Sequence, residues 1–70
     1  MSTELVSSVE IGEIIVDIHD HFQLCVVVGH TRSPMRPYLT ILEVLTEMGF
    51  MSVWEYEPQR TLESFYVRRL

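Results

Sequence analysis

PMRPYLTILEVLTEMG, residues 34–49, is the stretch on which the rest of the reading depends. Its apolar positions Tyr38, Ile41, Leu42, Leu45 and Met48 recur at spacings of three and four, which is the period of one helix face. Arg36, Thr40, Glu43 and Glu47 fall opposite, and Leu39 and Val44 widen the stripe. A stripe of this width predicts a helix lying on a sheet. Gly49 supplies a stop, because glycine takes the left-handed conformation at low cost. At the other end, Ser33 and Pro34 resemble a cap with proline in first position. Pro37 conflicts with that, since a fourth-position proline lacks the N–H that should bond back to the cap. The reading is therefore a tight turn over residues 33–36 and a helix starting near Pro37.

Working outward, strand-like runs lie on both sides. Residues 9–19, VEIGEIIVDIH, are rich in β-branched side chains, with Ile14, Val16 and Ile18 on one face. The polar triplet His19, Asp20 and His21 makes a turn into a second strand, residues 22–28. After Gly49 come a third strand over residues 50–57, a turn at Pro58 and Gln59, and a fourth strand over residues 61–70. The expected fold class is α+β, ββαββ, with one helix packed on a four-stranded, mainly antiparallel sheet. The chain reads as one small domain with residues 1–8 frayed.

One helix covers one sheet face, so the other face is expected to lack cover. In the first hairpin Ile14, Val16, Ile18, Phe22, Leu24 and Val26 are assigned inward. If Met51, Val53, Phe65 and Val67 also go inward, then Trp54, Tyr56 and Tyr66 come out. Tyrosine and tryptophan are favoured at interfaces, where they combine rigid area with a polar tip. Glu55 and Glu57 border them, as do Glu13, Asp17 and Glu63. The predicted protein interface is thus Trp54, Tyr56, Tyr66, Glu55 and Glu57.

Composition narrows the partner. Ten carboxylates against five arginines, with no lysine, make the formal charge −5. That balance disfavours nucleic acid, which calls for a positive field, and favours a protein partner with a basic surface or a second copy of the chain. The single cysteine, Cys25, excludes an internal disulfide and is read as a small apolar group. The N-terminus has no signal-peptide pattern and no apolar run is long enough to span a membrane, so the expected setting is cytoplasmic.

Other chemistry is weaker. Asp17, His19 and His21 alternate and are legitimate metal ligands, but the turn breaks their common direction. Gly29, Thr31, Arg32, Ser33 and Arg36 lead into the expected helix N-terminus and form a candidate anion site. A homodimeric ligand-binding protein using either site is the alternative function. Cys25 has no placed base or orienting group, and Glu43 with Glu47 is an ordinary solvated pair. No cofactor is expected, and no enzyme. The leading expectation is a small acidic protein-binding module, a regulator or inhibitor of a larger assembly.

Overall fold

The structure, a computed structural model, describes residues 4–70. It is all-β. Strands β1 (Ile14–Asp17), β2 (Gln23–Arg32), β3 (Thr40–Thr46), β4 (Met51–Tyr56) and β5 (Val67–Arg69) form one sheet in the order β4-β3-β2-β1-β5. Every neighbouring pair is antiparallel. Among the described residues the only helical backbone is two short 3₁₀ turns, Val6–Ser8 and Glu63–Phe65.

The α+β expectation is overturned, because residues 34–49 contain no helix. They form an irregular loop over residues 33–39, strand β3, and a hairpin turn. The period-3.6 stripe was real but not unique. Leu42, Val44 and Thr46 alternate equally well at period two, and Thr40, Ile41, Val44 and Thr46 are β-branched. The neighbours decide between the two periods. β2 pairs with β3 from Cys25↔Thr46 to Arg32↔Thr40, and β4 pairs with it from Thr40↔Tyr56 to Leu45↔Met51. A strand flanked on both sides satisfies its backbone groups without forming a helix. Pro34 and Pro37 fall in the loop, where neither breaks the ladder. Gly49, read as a helix stop, is instead the left-handed residue of the three-residue β3–β4 turn. It has φ +88°, its N–H donates to Thr46 O at 2.9 Å, and Thr46 N–H donates to Phe50 O at 2.8 Å.

The flanking strands also differ in extent. β1 is four residues long, and β2 continues through the expected loop to Arg32. The fourth expected strand is mostly turn, with only Val67–Arg69 extended and paired to β1. A bulge interrupts β2–β3 pairing between Val27 and Gly29. Gly29 lies there against Glu43, and an added Cβ would sit 2.6 Å from Glu43 Oε1, so a larger residue would displace that side chain. The β1–β2 turn puts two non-glycine residues, His21 (φ 53°) and Phe22 (φ 57°), in the left-handed region, with Gln23 N–H donating to Asp20 O at 3.0 Å. Two successive positive φ values are the pattern of a type I′ turn, here the last part of the five-residue connection between the register partners Asp17 and Gln23.

The core is built from Ile15, Cys25, Val27, Leu42, Val44, Tyr56 and Val67 on one sheet face. Val6, Val9 and Leu62 close over it from the two chain ends. Those ends run together: Leu5 bridges Thr61, Val6 N–H donates to Arg60 O, and Leu62 N–H donates to Glu4 O. Arg69 fastens the same region, reaching the Glu4 carboxylate, Ser8 O and Ser8 Oγ. Its Nε lies 2.7 Å from Glu13 Oε1, close enough for an ion pair, although the N–H is not aimed for a hydrogen bond. Fraying was expected over residues 1–8. Residues 1–3 lie outside the described residues, and over residues 4–8 the expectation gives way to this packing, with Val6 fully buried.

Sidedness is the second correction. Ile14, Val16, Leu24 and Val26, assigned to the core, point away from it, and their neighbours Ile15, Cys25 and Val27 point in. Phe22, also assigned inward, is exposed in the turn, and Ile18 is half-buried beyond β1. In β4 the faces are reversed in the same sense, with Met51 and Val53 out and Trp54 and Tyr56 in, whereas Phe65 and Val67 pack inward as assigned. Side chains alternate with period two, so a one-residue change of register exchanges both faces at once. The sheet also curls around its packed face. Trp54 of β4 lines the same hollow as Asp17 of β1 and Val67 of β5.

Candidate protein interface

The outer face of the sheet is apolar and has no cover among the described residues. Ile14, Val26, Leu45 and Met51 are register partners in a single row across β1, β2, β3 and β4. Val16 and Leu24 form the adjacent row on one side, and Val53 pairs with Glu43 on the other. Val28, the extra residue of the bulge, is exposed beside them. Met51 and Val53 are more than half exposed, at 55% and 57%, and Ile14 is 45% exposed. The six exposed members leave on the order of 500 Å² open, toward the upper end of what a monomer ordinarily shows.

The polar groups on this face are mostly acidic. Glu43 stands among the aliphatic side chains with its stem across Gly29 and its carboxylate half-buried. Glu47 lies at one end and accepts the Leu24 N–H at 3.3 Å. Glu55 lies at the other, accepting from the Ser33 hydroxyl at 3.1 Å and from Arg36 at 3.4 Å. Arg68, the register partner of Val16, is exposed on the β5 side.

The five residues predicted as an interface are not brought together on an open surface. Tyr56 is buried at 2% exposure, and Trp54 is half-buried edge-on to Phe65 with ring centroids 5.8 Å apart. Phe65 also meets Tyr56 at 6.1 Å and carries Arg60 over its ring at 5.5 Å. Trp54, Tyr56 and Phe65 are therefore core and lid, because the packed face lies on their side of the sheet. Tyr66 is exposed, left-handed at φ 58° after the second 3₁₀ turn, and 6.0 Å from the His19 ring. Glu55 and Glu57 are exposed, Glu57 in the turn after β4.

The anion site loses its basis with the helix. Gly29, Thr31 and Arg32 lie within β2. Ser33 is buried, accepting the Arg36 N–H at 3.2 Å and donating to Glu55, and Arg36 pairs with that same carboxylate. A carboxylate already occupies the place where an anion would bind. Asp17 Oδ1 accepts the His19 N–H at 3.1 Å, and His19 and His21 are exposed in the turn, with His19 beside Tyr66. Among the described residues no three potential ligands gather to hold a metal ion. Cys25 is buried, and burial, with the charges of Asp17, Glu47 and Asp20, pushes its thiol up, away from the reactive thiolate.

One polar cluster lies in the core. His30 Nδ1 is 3.0 Å from Val9 O, so that nitrogen carries the proton and Nε2 accepts from the Tyr56 hydroxyl. Burial raises the Tyr56 pKa, and a hydrogen bond from Thr40 partly offsets the rise. Each polar atom finds a partner within the fold, as expected of structural groups.

The outer-face residues were not identifiable as an interface from the sequence. Ile14, Val16, Leu24 and Val26 carry the same chemistry as core residues, and no signal in the chain separates the two. No family model, curated protein or solved structure matches the chain. No helix among the described residues is long and apolar enough to cross a membrane.

Proposed function

We propose that this chain is a small protein-binding module that engages a partner through the outer face of its sheet. The observation that carries the reading is the uncovered row Ile14, Val26, Leu45 and Met51, with Leu24, Val28 and Val53 beside it. A contiguous apolar patch with polar borders is the usual form of an interaction surface. Its carboxylates Glu43, Glu47 and Glu55 outnumber its arginines, Arg68 and the Arg36 paired with Glu55, and the chain carries a formal −5, so the partner's surface is basic. Size and charge fit a regulator or inhibitor of a larger assembly, and the single buried cysteine fits a cytoplasmic setting. The action is binding without catalysis.

The test is paired affinity capture from cells with the wild-type chain and with Leu45→Lys/Val53→Lys. Circular dichroism establishes first that both are folded. The expected result is a partner retained by the wild type, lost by the double variant, and kept by a Ser7→Lys control away from this face. Retention by the double variant rejects the outer face as the binding surface.

A further inference from the structure

We infer that the free edge of β4 pairs with the same edge of a second copy, giving a two-fold antiparallel dimer centred on Val53. The argument begins with the direction of the backbone groups. Glu47 N–H donates to Leu24 O on β2, and Thr46 N–H donates to Phe50 O on the β4 side. Alternation along an antiparallel ladder then turns the backbone groups of Ser52, Trp54 and Tyr56 toward β3. The N–H and C=O groups of Met51, Val53 and Glu55 consequently point outward. β4 is an end strand of the sheet, and no backbone bond joins it to anything beyond β3 among the described residues.

Proteins usually protect such an edge with lysine, proline, a bulge or a covering segment. β4 has the sequence MSVWEY, pairs without irregularity, and carries none of these; its one charged residue, Glu55, is already paired with Arg36. Its outward-directed residues are also self-complementary. An antiparallel pairing about Val53 places Val53 opposite its own copy and Met51 opposite the other copy's Glu55. No carboxylate faces a carboxylate, and each Glu55 retains its own Arg36 at 3.4 Å. The side chains of Met51 and Val53 lie on the outer face, so pairing joins the two apolar faces into one continuous surface. This inference concerns the strand edge and stands whether or not the outer face binds another protein.

A pairing of six-residue strands buries less than the roughly 1,200 Å² of a standard stable interface, so the dimer dissociates on dilution. The experiment is sedimentation equilibrium with light scattering, from about ten micromolar to about one millimolar, a span suited to a small interface. The expected result is a mass that rises with concentration toward that of two chains. Val53→Pro removes an N–H that faces solvent and leaves the β3 ladder intact, so it should remain folded and monomeric at every concentration. Should that variant fail to fold, Val53→Lys sets two like charges opposite each other across the axis and replaces it as the test. Leu45→Lys, on the outer face one strand away, should leave the dimer in place. A wild-type chain that stays monomeric throughout overturns the inference. So does a dimer that survives a folded Val53→Pro, or one that Leu45→Lys abolishes.

Discussion

Leu42 and Val44 of β3 are closed to solvent, whereas Leu45, the next residue along, stands open on the other side of the strand. Both faces of this sheet are aliphatic. Ile15, Cys25, Val27, Leu42 and Val44 line one; Ile14, Val16, Leu24, Val26 and Leu45 line the other. They differ in what lies above them. The two chain ends cross over the first face, bringing Val6, Val9, Leu62 and Phe65, and nothing in the described chain crosses the second. Hydrophobicity alone therefore does not say which face of an antiparallel sheet is core. The return path of the connecting segments does, because an apolar face is buried only where another layer covers it.

The sharpest challenge to this contrast is a pair of truncations. Leu42→Ala should cost about 2–5 kcal/mol in urea unfolding, since it leaves a cavity in a closed core. Val53→Ala, at an exposed site on the outer face, should change stability by no more than about 0.5 kcal/mol. A large loss from Val53→Ala would mean that the outer face is covered in solution. A small loss from Leu42→Ala would mean that the packed face is not the core.

A smaller effect should come from the turn that links β1 to β2 and sets their register. His21 and Phe22 hold positive φ values that asparagine and glycine accept more easily. The double substitution His21→Asn/Phe22→Gly should stabilise the fold by about 1 kcal/mol, read as a rise in melting temperature. A fall would place Phe22 in a contact that contributes more than the turn strain costs.

The smallest effect should be an alkaline loss of stability originating on the packed face alone. Cys25 and Tyr56 are both acids whose folded pKa lies above the ordinary value, chiefly through burial. Their contribution is therefore complete below the ordinary values, 9.0 and 10.0, and is lost as pH rises through the folded ones. Cys25→Ala should flatten the earlier part of that decline and Tyr56→Phe the later part, in melting curves taken across alkaline pH. An unchanged profile in both variants would assign the decline to other groups.

Much of the strand content was legible in the chain. The run IIVD lies inside the first expected strand, QLCVVV opens β2, and MSVWEY lies wholly within the third. Residues 34–49 were misread because their spacing satisfies both periods, and Gly49 stops a helix or turns a hairpin with the same left-handed backbone. The site was less legible. Trp54 and Tyr56 attract attention as interface residues by type, yet Phe65 and His30 hold them in the core from distant positions in the chain.

Composition and alternation alone determine that this is a small acidic chain with strand-forming runs, one unpaired cysteine and more apolar surface than one layer can bury. They do so because β-branched content, charge and side-chain period are local properties. Three outcomes belonged to the assembled structure: β3 became a strand, Ile15 faced in where Ile14 faced out, and Trp54 and Tyr56 packed inward in place of forming surface. Each depends on which segments meet across the sheet and in what register. Those contacts join residues as far apart as Val6 and Arg60, and no local period specifies them.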